Sequence, residues 1–439
     1  MKIISGCDFD SYWKNEPVNS DDEKTEAIVK EIIAAVRKDG DAAVKRYASM
    51  FDKSSPEQLE VPAVELKRAY DALRASDPAL VEALEFAAEN INRFSIRQRE
   101  PFADFEFETR QGVFTGQKII PVERAAVYVP GGRFPLFSSV LMCVIPAFSA
   151  GVKEVILSSP PAEDGLPDRK TLAAAAIAGA RAEGAPRVFA IGGAQAIAAL
   201  SFGTQSVPRV DVIVGPGNRF VAAAKRILFG EVGIDFIAGP SDVLVIADEK
   251  ASENPASAML IAADMIAQAE HDPDARARAL VPSKTLASQI AAALEKRALP
   301  AARSSLDAGG LIIVYQERDE AIRIANAIAP EHLELHVADD NEWIPRLKNY
   351  GSLFIGSLSA EVLGDYSAGI NHTLPTSGGA RFTGGLSVRH FLKTVTTLRC
   401  SSGVGFDKTS GAAEIIARAE GLEGHAQSAV LRKKSTTPP

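Results

Sequence analysis

From Asp21 to about Arg99, apolar residues recur every three or four positions, as in EAIVKEIIAAVRKDGDAAVKRYASMF and PALVEALEFAAENINRF. That spacing predicts amphipathic helices that lay one face on a core. Beyond Val113 the texture changes. Short β-branched runs end in glycine turns and pass into Ala-rich stretches: AAVYVPGG (125–132), KEVILSSPP (153–161), RVFAIGGAQAIAAL (187–200) and VDVIVGPGNRFVAAAKRIL (210–228). Each reads as strand, turn and helix, which predicts a parallel sheet covered by helices. A second set begins at SDVLVIAD (241–248) and continues through a helix over 255–270, strand ALVPS (279–283), a helix over 285–297, strand GLIIVY (310–315), a helix over 317–329 and strand GSLFIG (351–356). The AGP turn at 238–240 marks the crossing between the sets. After Arg381 a Gly-rich segment leads through FLKTVTTLRC to a helix over 411–420 and a polar tail, SAVLRKKSTTPP, expected to lack fixed structure. The fold class expected is α/β, with two Rossmann-like parallel-sheet units, a helical N-terminal section and a C-terminal arm.

Composition narrows the picture in four ways. A chain of 439 residues exceeds what one hydrophobic core serves, so at least two packed units are expected. The formal charge of -8, with no segment that concentrates Lys and Arg, argues against a nucleic-acid partner. The N-terminus turns acidic at once, unlike a signal peptide, and the longest apolar stretch, Leu136 to Val152, is too short and broken to span a bilayer; a cytoplasmic protein is expected. Cys7, Cys143 and Cys400 form no disulfide framework and no Cys-based zinc site. Neither Cys143, inside VLMCVIPAF, nor Cys400, beside Arg399, has an activating group near it in sequence, and both read as buried structural thiols.

Of the six histidines, four sit in polar, turn-like contexts beside carboxylates: Gln268-Ala-Glu-His271, Pro330-Glu331-His332, Asp365 followed seven residues on by His372, and Glu420 followed by His425. Gln268 and His271 fall on one face at a helix end, where they could grip one ion. Asp365 and His425 could complete the set with oxygen and imidazole donors, a mixture that zinc accepts. Each motif alone better fits polar residues at a helix end. Glu331 and His332 follow a proline on a predicted loop. Read from sequence, His332 titrates near about 6.5 and Glu331 is ionised at neutral pH, a pairing suited to taking protons, although an ordinary helix C-terminus looks the same. Three glycine turns, at 130–132, 191–193 and 215–218, let backbone N–H groups approach a phosphate. No G-x-G-x-x-G occurs in them, so tight turns of any α/β protein fit as well.

Eight segments in order between Val122 and Arg432 carry a resemblance, over about residues 25–432, to the histidinol dehydrogenase family: VERAAVYVPGGRFPLFSSVLM, IGGAQAIAALSFGT, VGPGNRFVAAAKR, VGIDFIAGPSDVLVIAD, AQAEHDPDARA, NAIAPEHLEL, GDYSAGINHTLPT and AEGLEGHAQSAVLR. The resemblance implies zinc-dependent, NAD-linked oxidation of an amino alcohol, L-histidinol, through its aldehyde to the carboxylate, the last two steps of histidine biosynthesis. It implies that Gln268, His271, Asp365 and His425 are zinc ligands, with His425 reaching into the partner subunit of a homodimer whose active sites are shared. It implies Glu331 and His332 as the acid/base pair, His332 serving both oxidations and Glu331 activating water for the second. Ser241, His372 and Glu420 match substrate-binding positions beside the ligand and acid/base residues, and Tyr128, Gln195 and Asn218 match positions that bind NAD.

The domain division expected is an N-terminal arm (1–24), a discontinuous domain with the metal and acid/base residues (25–127 with 241–386), a Rossmann-like NAD domain (128–240) and a C-terminal dimerisation arm (387–439). Ser95 stands where many members carry His, and Asp242 where Glu is usual. Relatives that oxidise other alcohols, such as sulfopropanediol, are the nearest alternative. A zinc hydrolase with Glu331 activating metal-bound water, or a non-catalytic dinucleotide binder, would differ by forming no NADH.

Overall fold

The computed structural model describes residues 1–14, 22–131, 135–237 and 239–435. Gly132 of the first glycine turn, Ala238 of the expected crossing and residues 436–439 of the tail lie outside them. The chain divides into two compact units, Met1–Gln98 with Glu123–Phe391, and Arg99–Val122 with Leu392–Pro439. No helix among the described residues is long and apolar enough to cross a membrane.

In chain order, β1 (Lys2–Ser5) and β2 (Glu60–Val61) lie among the helices of the first hundred residues, and β3 (Phe105–Arg110) and β4 (Val113–Pro121) follow them. The first glycine-rich set supplies β5 (Arg124–Tyr128), β6 (Glu154–Ser159), β7 (Arg187–Ala190), β8 (Val212–Val214) and β9 (Gly233–Ile234). The second supplies β10 (Asp242–Ala247), β11 (Arg276–Val281), β12 (Leu311–Val314), β13 (His332–His336) and β14 (Ser352–Ile355), and β15 (Leu392–Cys400) comes last.

The larger unit holds two six-stranded sheets, ordered β2-β7-β6-β5-β8-β9 and β1-β12-β11-β10-β13-β14. Strands β5 to β9 are parallel throughout, as are β10 to β14, and each run of five has the spatial order 3-2-1-4-5. Each sheet gains one edge strand from the N-terminal section: β1 runs parallel to β12, and β2 antiparallel to β7. The helical reading of that section therefore holds for Asp22–Asp39, Asp41–Phe51, Ala63–Ser76 and Pro78–Arg99 but misses the two short strands. Val29, Ile32, Val36, Val44 and Tyr47 carry the helical apolar spacing into the core of the β5 sheet. Buried runs such as β5 (RAAVY) and β10 (DVLVIA) are apolar almost without a break, as a sheet covered on both faces requires.

The smaller unit is an antiparallel sheet, β15-β4-β3, with helices Val404–Ala419 and Glu423–Ser435. The tail expected to lack structure is helical through Ser435. Cys143 is buried as expected, but Cys400 is exposed on β15. Burial pushes the Cys143 thiol up to about 12, which leaves it protonated and unreactive.

Candidate active site

Of Glu331 and His332, read as lying on a loop, Glu331 does precede any regular element, but His332 is the first residue of strand β13. Side chains alternate across a strand. Leu333 and Leu335 enter an apolar core, so His332, Glu334 and His336 share the opposite face, and all five residues are buried. The polar character of that face hid the strand, because a buried parallel strand is ordinarily apolar on both sides.

Glu331 and Asp242 brace each other at the start of β13 and β10. The Asp242 N–H donates to Glu331 Oε2 at 3.0 Å, and the Glu331 N–H donates to Asp242 Oδ1 at 3.0 Å. Arg278 lies 3.5 Å from the other Asp242 oxygen. Asp242, one of the two departures from the expected pattern, thus anchors Glu331, a member of the expected acid/base pair. His332 lies among carboxylates, with Nε2 3.3 Å from Asp365 Oδ1, Nδ1 3.8 Å from Glu331 Oε2 and Nδ1 3.9 Å from Glu361 Oε2.

Charge follows from this crowding. Burial raises the Glu331 carboxyl to about 8, more than the His332 charge lowers it. Burial opposes a charged ring at His332, but Glu331, Asp365 and Glu361 outweigh it and push its pKa upward. Burial also raises Asp365, yet its hydrogen bond with His332 and the charges of His332, His372 and His271 bring it below its ordinary value. Glu331 is therefore not the ionised group expected from sequence, and His332 holds its proton above about 6.5. A cluster that retains protons at neutral pH has both an acid and a base within reach, as proton transfer to and from one substrate requires.

Around this pair, the helix Ser257–Ala269 brings Gln268 to its last turn, with its amide nitrogen donating to both Glu361 oxygens at 3.0 and 3.2 Å. His271 lies just past the helix end. Asp365 follows Glu361 by four residues in the helix Glu361–Tyr366, which puts both acids on one face. His372 Nδ1 is 2.8 Å from the Asp365 carbonyl oxygen and Nε2 is 3.0 Å from Ser139 Oγ; burial lowers its pKa. Ser241 directly precedes β10, its carbonyl accepting from the Arg276 N–H at 2.9 Å. Glu420 and His425 belong to the smaller unit, at the end of one helix and in the first turn of the next, and both are exposed.

The three expected NAD positions meet at the carboxyl ends of β5, β7 and β8. The Tyr128 hydroxyl accepts from the Gly193 N–H at 3.0 Å, and Gln195 is buried with its amide nitrogen 3.4 Å from Asp52. Asn218 caps the helix Arg219–Leu228, accepting from the N–H groups of Phe220 and Val221. Gly215 has a φ of 106°, and a Cβ there would meet the Tyr128 carbonyl oxygen at 2.3 Å, so this turn requires glycine.

A family model described as histidinol dehydrogenase matches residues 15–433. The chain belongs to the histidinol dehydrogenase family. It is 46% identical to a histidinol dehydrogenase of Thermus thermophilus over 418 residues, covering 94% of this chain and 95% of the relative. It is 45% identical to one of Aquifex aeolicus over 419 residues, covering 94% and 93%. The crystal structure of histidinol dehydrogenase from Elizabethkingia anophelis superposes with a TM-score of 0.87 at 35% identity, covering 97% of this chain and 96% of that one. The family's α/β architecture is therefore this chain's.

Within this histidinol dehydrogenase fold, the residues matched to zinc fit a divalent cation in their chemistry. Gln268, 1% exposed, offers an amide oxygen, Asp365 a carboxylate held low, and His271 an imidazole just past the end of the helix that carries Gln268. The sequence reading missed Glu361, Asp52, Asp264, Glu334 and His336. Glu361 was legible as an acid four residues before Asp365, and His336 as the third polar member of an alternating HLELH. Asp52, after a helix end, has no local signal; only the fold brings it to Gln195.

Proposed function

We propose that this chain oxidises L-histidinol through L-histidinal to L-histidine, reducing two NAD and consuming one water. The observation that carries the reading is the buried Glu331–His332 pair, with Asp365 3.3 Å from the imidazole, in a chain of this family. Bound zinc would hold the substrate's imidazole and amine on Gln268, His271, Asp365 and the partner's His425, and bound NAD would accept hydride.

His332 in its neutral form takes the hydroxyl proton as the alcohol carbon gives up hydride, and passes it into the carboxylate cluster. Glu331 in its basic form orients and deprotonates the water that adds to the aldehyde. His332 then takes the proton of the hydrate as the second hydride leaves. Ser241, His372 and Glu420 hold the remaining polar groups of the substrate, while Tyr128, Gln195 and Asn218 hold the nucleotide. Residues 128–240, with the helices and short strand of the N-terminal section that pack on their sheet, serve NAD, 241–386 serve metal and proton transfer, and 387–439 reach the partner's site. The exposure of His425 and Glu420, beside exposed Val404, Ile415, Ile416 and Leu431, supports the sharing of sites in a homodimer.

The test is NADH absorbance with L-histidinol, sulfopropanediol and simple amino alcohols. Two NADH per L-histidinol, with far slower turnover of the others, is expected. Turnover confined to another alcohol overturns the substrate, and no NADH from any of them overturns the dehydrogenase.

A further inference from the structure

The polar face of β13 continues beyond the acid/base pair. Glu334 and His336 follow His332 at the strand's two-residue period, and Asp264 faces them from the helix Ser257–Ala269, one turn before Gln268. One ligand atom from each of Asp264, Glu334 and His336 lies within 4.8 Å of the others. Glu334 is fully buried and His336 is 3% exposed. Neither His336 ring nitrogen has a hydrogen-bond partner, and neither does Glu334 Oε2; His336 Nε2 approaches that oxygen to 3.3 Å without forming a bond. Buried polar atoms are ordinarily paired, so an imidazole with both nitrogens unpaired beside two acids points to a ligand.

We propose that Asp264, Glu334 and His336 form a second divalent-cation site, separate from the one matched to Gln268, His271 and Asp365. Two carboxylates and one imidazole are a donor set for zinc or a related transition ion such as manganese, and two negative charges balance the ion's two positive ones. Burial and the Glu334 charge raise Asp264 to about 8, so Asp264 keeps a proton that a cation displaces. The place also suits a ligand. His336 ends β13 beside Ala247, the end of β10, and strand order reverses between these two strands, where doubly wound sheets open a crevice. A cleft of about 210 Å³, lined by Asn254, Ser257 and Ser357 together with Lys250, reaches His336 and supplies an entry path. Glu334 Oε1 accepts from the Glu361 N–H at 2.8 Å, so an ion here also fixes the acid beside Gln268 and His332.

The test is metal content at saturation, by equilibrium dialysis of the full chain against Zn²⁺ and elemental analysis. Two ions per chain are expected in the wild type, one in His336→Gln, one in His271→Ala and none in the double variant. Co²⁺ added to His271→Ala reads the triad alone through its visible absorption, which Asp264→Asn should abolish even if His336→Gln fails to fold. One ion per chain, lost in His271→Ala, overturns the second site. If His271→Ala keeps every ion and the triad variants lose one, the active-site ligand assignment fails and the triad stands.

Discussion

The two large sheets share a strand order and use opposite ends of it. In the β5 sheet, Tyr128, Gly193, Gly215 and Asn218 gather at the carboxyl ends around the reversal between β5 and β8, where such sheets commonly receive ligands. In the β10 sheet, Asp242, Glu331 and His332 gather at the starts of β10 and β13, and the Asp264–Glu334–His336 triad runs from the middle of β13 to its carboxyl end. Topology thus sets where a crevice opens, and side chains decide what each end does. The β5 sheet offers mostly backbone groups to its turn region, as a nucleotide user would. The β10 sheet buries titratable side chains, as proton transfer needs.

The hardest test of that contrast removes the proton groups. His332→Asn should slow both oxidations by roughly 10²- to 10⁴-fold, the loss expected for a general base, while Glu331→Gln should chiefly slow oxidation of supplied aldehyde. Because Glu331 is raised to about 8, its basic form grows as pH rises, and the second step should be the more pH-sensitive of the two. If Glu331→Gln oxidises the aldehyde at the wild-type rate yet fails on the alcohol, the roles are exchanged.

The smaller unit enters through its exposed His425. Mixing inactive His425→Ala and His332→Ala proteins should restore about a quarter of wild-type activity, since half the dimers are hybrids and each hybrid has one intact site. No recovery after confirmed subunit exchange would show that each site is built from one chain.

The same contrast explains what could be seen before the structure. The apolar strands β5, β6, β10 and β12 were plain in sequence because burial on both faces leaves a run of β-branched residues. The two-residue strands β2 and β9 carry too little pattern, and β13 carries a misleading one, since its polar face is buried against other polar groups. Candidate site residues with a motif around them were nameable, including Gln268, His271 and Asp365. Asp52, Asp264 and Arg278 were not, because what matters in each is a partner far along the chain.

In the half proposed to bind the nucleotide a smaller effect is expected. Asn218→Ala removes a helix cap and should cost about 1 kcal/mol of stability, whereas Asn218→Ser keeps a capping oxygen. The KM for NAD separates two roles. A rise in both variants means that Asn218 touches the nucleotide, and a rise in Ala alone means that it acts through the helix it caps.

The smallest effect concerns Asp52, a strongly shifted acid at the β5 end. Burial raises its carboxyl from 3.8 to about 6, partly offset by hydrogen bonds from Gly192 and Gln195. The folded chain therefore holds this proton more tightly than the unfolded chain. That contribution to stability is complete below about pH 4 and is lost as pH rises through about 6, where a half-buried carboxylate must be charged. Asp52→Asn presents a neutral amide at every pH and still accepts hydrogen bonds. Its melting temperature should exceed that of the wild type by a few degrees or less at pH 8, and the gap should close as the buffer is lowered toward pH 4.5. A gap that does not change with pH, or one that widens on acidification, would mean that Asp52 is already ionised in its setting. The β5 end would then hold a buried charge after all, and the contrast between the two sheets would weaken at that point.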